Sequence, residues 1–156
     1  MNGTPDGFAL EVAEHCREAG FGGEASSDVA AVLWKKMMLL SANAGLSSVS
    51  RQPPRALYDD PVSRAVALEA MAEVRALAAA RGVEIEPGAE GELAALCDTY
   101  PMDLYPSMYN DLIAGRRLEL EGLAGLIARL GEGLGVPTPV NRTLYAALKP
   151  YKDGAL

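Results

Sequence analysis

Lys36 and Glu119 are the two residues whose types and positions suit acid–base chemistry. Between Asp28 and Ala44 the apolar residues recur at helical spacing. At about 100° per residue, Val29, Leu33 and Leu40 line one stripe, and Lys36 falls in the middle of it. Lys35 points about 100° away and is unremarkable by comparison. A lysine on an apolar stripe must snorkel, pair or reach a cavity. An ammonium taken out of water gives up its proton more readily, so such a lysine is a candidate general acid. The alternative is a lysine at the edge of a bundle with its ammonium in water. Glu119 stands in the first turn of a helix expected over Leu118 to Leu134, at the edge of the core stripe Leu120, Leu123, Ile127, Leu130, Leu134. The helix dipole alone is enough to favour a glutamate there. Glu121 is expected on the opposite face, toward solvent. Ser107 and Asp111, four apart on a short helix, either present a hydroxyl and a carboxylate together or cap and solvate that helix.

Other chemistries lack their residues. The single histidine, His15, has no metal-binding partner at helical spacing and no serine motif beside it. Cys16 and Cys97 are far apart and form no CxxC, which fits ordinary thiols in a reducing cytoplasm. Gly20, Gly22 and Gly23 follow a helix rather than a strand and do not spell a dinucleotide fingerprint. The run Gly131 to Gly135 is a helix end.

The elements that must position these residues are helical throughout. Helices are expected over Asp6 to Ala19, from Ser26–Asp28 to Ala44, over Asp60 to Arg81 and over Gly88 to Thr99. A short helix is expected before Gly115, a long one over Leu118 to Leu134, and a last one over Asn141 to Leu148. Gly45 is read as loosening the second helix, and Ser47 to Pro54 as a polar turn region. The fold class is therefore all-α, a bundle of six or seven helices in a chain of 156 residues. A net charge of −7 argues against a nucleic-acid surface. No apolar stretch is long enough for a membrane span, and the first nine residues do not read as a signal peptide, so a cytoplasmic protein is expected.

The same residues carry a resemblance. Val32-Leu33-Trp34-Lys35-Lys36-Met37 resembles the signature that opens the C-terminal domain of ketopantoate reductases (2-dehydropantoate 2-reductases). Pro106 to Leu112, followed by Gly115-Arg116-Arg117-Leu118-Glu119, is similar to that family's serine and glutamate signature. Gly135-Val136-Pro137-Thr138-Pro139, with Asn141 and Leu144-Tyr145, resembles its ending. The match runs in order from about Asp28 to Lys149.

This resemblance implies a helical bundle like the C-terminal domain of 6-phosphogluconate dehydrogenase, covering residues 26–156. Residues 1–25 would be the remnant of the end of a Rossmann domain that is itself absent. It implies that Lys36 protonates the substrate carbonyl, that Ser107 holds the substrate carboxylate, and that Glu119 contacts substrate. Asp111, Leu40, Asn43 and Ala44 are the further candidate substrate-binding residues. Leu40 and Ala44 stand where family members carry asparagines, which implies a small-molecule ligand more apolar than ketopantoate. The family's NADPH would have no binding site on this chain alone, so reduction would need a separate Rossmann subunit. Two other functions fit: a cofactor-independent isomerase or cyclase using an apolar Lys36/Glu119 cleft, and a non-catalytic ligand-binding or dimerisation module. A homodimer is expected, with the apolar side of the first helix (Phe8, Val12, Cys16) folded onto the bundle or packed against a second copy.

Overall fold

Asp28 accepts a hydrogen bond from the Ala31 N–H at 2.9 Å and starts the longest helix, α2 (Val29–Ser50). The computed structural model describes residues 4–154; the first three and last two positions lie outside the described residues. Before α2 comes α1 (Gly7–Glu18), capped by Asp6. After it come α3 (Pro54–Asp59), α4 (Pro61–Ala80), α5 (Ala89–Cys97) and α6 (Ser107–Ile113). A 3-10 turn over Glu119–Glu121 leads to α7 (Ala124–Leu134) and α8 (Pro139–Leu148), and a last 3-10 turn spans Lys149–Tyr151. No strand occurs among the described residues, so the all-α expectation holds. No described helix is long and apolar enough to cross a membrane.

The core is built on α2 and α4. Met38 and Ala42 of α2 meet Met71, Val74 and Leu77 of α4 in one buried cluster. A second cluster joins Ala44 to Met108, Leu118, Leu120, Leu144 and Leu148, and so ties α6, the 3-10 turn and α8 to the far half of α2. Burial of this apolar surface is the main stabilising term.

The helix ends depart from expectation for physical reasons. Gly45 does not loosen α2. It lies inside the helix, where an added Cβ would fall 2.8 Å from Leu144 Cδ1, so the glycine lets α8 approach. The helix ends at Arg51, a non-glycine residue in the left-handed region with φ of 63°. Of the expected turn region Ser47 to Pro54, Ser47 to Ser50 continue α2, and Pro54 already starts α3 at its first position. The helix expected over Leu118 to Leu134 is broken at Leu123, whose φ and ψ of −109° and −107° are not helical. Around α1, Gly23 folds back so closely that a Cβ there would lie 2.7 Å from the Ala13 carbonyl oxygen. Otherwise α1 packs extensively on no helix among the described residues, and Phe8 is 75% exposed.

Candidate functional site

The apolar stripe that carries Lys36 faces outward. Val29 and Leu33 are each 59% exposed and Leu40 42%, and Lys36 itself is exposed. Met38, two residues on and about 200° round the helix, is fully buried. The core side of the first half of α2 is thus the side opposite Lys36. Lys36 forms no ion pair or hydrogen bond among the described residues, whereas Lys35 is tied to Glu86. The result is one unpaired ammonium on a solvent-facing surface of Val29, Val32, Leu33 and Leu40.

From Ser41 to Ser48 the same helix is enclosed by neighbouring helices, α3, α4, α6 and α8 among them, before Val49 and Ser50 return to the surface. Two of the expected substrate contacts fall in this enclosed stretch. Ala44 is buried in the second core cluster. Asn43 is buried, accepts a hydrogen bond from the Tyr58 hydroxyl at 2.9 Å and donates one to Cys97 Sγ at 3.4 Å. Both are packed into the core, unlike the surface residues of α2. Leu40 is the one of the three that remains at the surface.

Ser107 is the first residue of α6 and is exposed. Asp111, half-buried one turn on, accepts from Arg116 Nε at 2.8 Å, while the Arg116 N–H donates to the Asp111 carbonyl, also at 2.8 Å. That pair closes the α6 end and commits the Asp111 carboxylate to Arg116. Glu119 opens the 3-10 turn, flanked by Leu118 and Leu120, which are core residues, so its own side chain stays at the surface. It lines a cavity of about 430 Å³ with Arg117, Leu118 and Leu123. Lys36 is not among the residues that line it. Lys36, Ser107 and Glu119 therefore come from three elements, all open to solvent.

Glu121 does not point freely to solvent as expected. It accepts from the Tyr145 hydroxyl at 2.8 Å and from Arg129 at 2.6 Å. The Tyr145 hydrogen bond, then the Arg129 guanidinium, hold its carboxyl below the usual range, and the same hydrogen bond raises the Tyr145 phenol. Nothing in the spacing of Glu121, Arg129 and Tyr145 announced this cluster, because it depends on α8 folding back beside α7.

No described group of His, Cys, Asp and Glu side chains could hold a metal ion. A dinucleotide also finds no fit among the described residues. They form no strand, and Gly20, Gly22 and Gly23 follow α1, with Gly23 packed against Ala13 and Cys16 rather than open to a phosphate.

Residues 28–152 match the family profile described as ketopantoate reductase PanE/ApbA C terminal. The chain is 30% identical over 154 residues to the 2-dehydropantoate 2-reductase of Archaeoglobus fulgidus, covering 99% of this chain and 51% of that protein. Among solved structures it resembles a PanE/ApbA family ketopantoate reductase from Ralstonia eutropha JMP134, with 32% identity, a TM-score of 0.81, and coverage of 95% of this chain and 49% of that one. A dimeric ketopantoate reductase from Staphylococcus aureus shares the fold, with a TM-score of 0.78 at 18% identity over 94% of this chain and 51% of that one. The chain spans about half the length of the curated relatives it matches.

Proposed function

The chain belongs to the ketopantoate reductase family, in its C-terminal part, and on that premise we propose that it supplies the substrate-handling half of a 2-oxo acid reductase. In this reading residues 26–156 are the helical domain, and residues 1–25 are the remnant of the end of a dinucleotide-binding domain. The observation that carries this reading is the unpaired Lys36 ammonium on the outward apolar face of α2. Lys35, its neighbour, is by contrast tied to Glu86. A surface meant only for water would not set four exposed apolar side chains around the charge.

In this reading Lys36 Nζ binds the substrate carbonyl oxygen and delivers the proton that oxygen takes up as the carbon is reduced. The Ser107 hydroxyl donates to the carboxylate and Glu119 accepts from the product hydroxyl. Asp111 acts through Arg116 and positions α6 rather than touching substrate. Leu40, one turn beyond Lys36, makes the ligand surface more apolar than ketopantoate needs. The family's reductant, NADPH, has no fit among residues 4–154. It would be held by other residues, on the same polypeptide or a separate subunit. The apolar, uncovered side of α1 fits a role in joining that domain or a second copy.

The test is NADPH oxidation by 2-oxo acids, measured for these residues alone and with the dinucleotide-binding domain of a relative. Turnover is expected only in combination, and Lys36→Ala should lower it about 10²–10⁴-fold. Turnover that ignores Lys36, or 2-oxo acid conversion without NADPH, would reject the reading and favour a cofactor-free enzyme.

A further inference from the structure

A cavity of about 610 Å³ lies between α7 and α8, beside the turn that joins them. Helical spacing sets its walls. Ala128, Gly131 and Glu132 stand at i, i+3 and i+4 on α7, while Thr138, Arg142 and Tyr145 stand at i, i+4 and i+7 from the start of α8. Gly131 keeps the floor low, because a Cβ there would run into Thr138. Lys36, Ser107 and Glu119 are not among the lining residues.

Two polar side chains of this cavity are already engaged: Arg129 donates to Glu121, and so does the Tyr145 hydroxyl. Three are not. Arg142 and Glu132, one on each helix and both exposed, form no ion pair among the described residues, with each other or with any other group. Thr138 is only 7% exposed, and its hydroxyl makes no hydrogen bond among the described residues. It immediately precedes α8, where a threonine side chain ordinarily caps. Here Glu73 accepts from the Val140 and Asn141 N–H groups instead. The threonine hydroxyl is thereby left free, in a residue that lines the cavity. A nearly buried polar group costs stability until a ligand or water meets it.

We propose that this cavity binds a free α-amino acid with an apolar side chain. Arg142 takes the carboxylate, Glu132 takes the ammonium, and the Thr138 hydroxyl donates to the carboxylate. A lone anion would be repelled by Glu132 and a lone cation by Arg142, so only a ligand carrying both charges is attracted by both walls. The turn favours an apolar side chain. Pro137 and Pro139 have no N–H to offer, and the Val136 N–H is bound to the Gly131 carbonyl. This site does not depend on the reductase reading.

Calorimetry and methyl NMR of the chain test it. L-leucine and L-phenylalanine are expected to bind and to shift the Ala128, Val136 and Thr138 methyl resonances, equally in the native chain and in Lys36→Ala. 4-Methylpentanoate, which lacks the ammonium, and 3-methylbutylamine, which lacks the carboxylate, are each expected to bind about tenfold or more weaker than L-leucine. Glu132→Gln should bring L-leucine down to the level of 4-methylpentanoate, and Arg142→Gln to that of 3-methylbutylamine. Both positions are exposed, so neither change threatens the fold. If neither amino acid moves these resonances, or if either one-charge analogue binds the native chain as well as L-leucine does, the site is overturned. Loss of amino-acid binding in Lys36→Ala would put the ligand on α2 and overturn it equally.

Discussion

Glu73 on α4 caps the first turn of α8 through Asn141. Its two carboxylate oxygens accept from the Val140 N–H at 2.6 Å, the Asn141 N–H at 2.9 Å and the Asn141 side-chain amide at 2.6 Å. That same amide also donates to the Ala70 carbonyl at 3.0 Å. Both residues are buried. Pro139 begins α8, so the N–H groups Glu73 accepts from are those a helix start leaves without intrahelical partners, and a carboxylate at that end opposes the positive pole of the dipole. Removing the carboxylate strands these donors. Glu73→Ala is expected to cost about 3 kcal/mol in urea unfolding. A loss under about 1 kcal/mol would show that the cap is incidental to holding α8 on α4.

Much of this fold could be read in the sequence, but the site less so. Helices α1 and α4 were predictable from caps, period and closing residues, because local signals fix them. The break at Leu123 was hidden because Leu120, Leu123, Ile127 and Leu130 keep helical spacing across it. The stripe Val29–Leu33–Leu40 was recognisable but its direction was not. A helix that is apolar toward a core and apolar toward an open face gives the same pattern, and only packing tells which side Met38 takes. Asn43 is held by Tyr58 of α3 and Cys97 of α5, and that burial is a tertiary fact that local spacing does not carry. The ending Gly135 to Asn141 proved structural: Gly135 is left-handed with φ of 67°, Thr138 packs on Gly131, and Asn141 meets Glu73.

Two glycines of α7 two residues apart should respond oppositely to alanine. A Cβ at Gly131 would lie 2.6 Å from Thr138 Oγ1 and 2.7 Å from the Val136 carbonyl oxygen. A Cβ at Gly133 would meet nothing within 4 Å. Gly131→Ala is expected to lose about 2 kcal/mol through forced displacement of that turn. Gly133→Ala is expected to gain up to about 1 kcal/mol from helix propensity. Equal effects in thermal unfolding would contradict the close approach of the turn to α7.

The buried Tyr58–Asn43–Cys97 group is a core network, not a reactive centre. Burial pushes both the Tyr58 phenol and the Cys97 thiol above their ordinary values. A thiol reagent should therefore label Cys16, which is partly exposed, and leave Cys97 intact until the chain unfolds. Tyr58→Phe should lower stability by about 1–2 kcal/mol without altering 2-oxo acid binding. Rapid labelling of two thiols in the folded protein would contradict this arrangement.

Arg64 holds Asp98 in a two-pronged pair, at 2.8 and 3.0 Å. The Arg64 hydrogen bonds, then its charge, keep the Asp98 carboxyl below the ordinary value. A depressed carboxyl contributes stability above its unfolded value, and that contribution is lost as pH falls through the folded value. The stability difference between the native chain and Arg64→Met is therefore expected to shrink between about pH 6 and about pH 2.5, read from urea midpoints. A difference that stays constant or grows toward acid would contradict the pairing.

Whether Lys36 is the group that meets the substrate carbonyl can be measured directly, because the chain has four lysines: Lys35, Lys36, Lys149 and Lys152. Reductive ¹³C-methylation keeps their charge and gives each a resolvable NMR signal. Lys35 is held by Glu86, Lys149 lies over the Tyr145 ring, and Lys152 pairs with Asp153. On titration with ketopantoate, the Lys36 signal is expected to move and saturate while the other three stay in place. Movement of a different lysine, or of none, would contradict the assignment of Lys36 to the substrate.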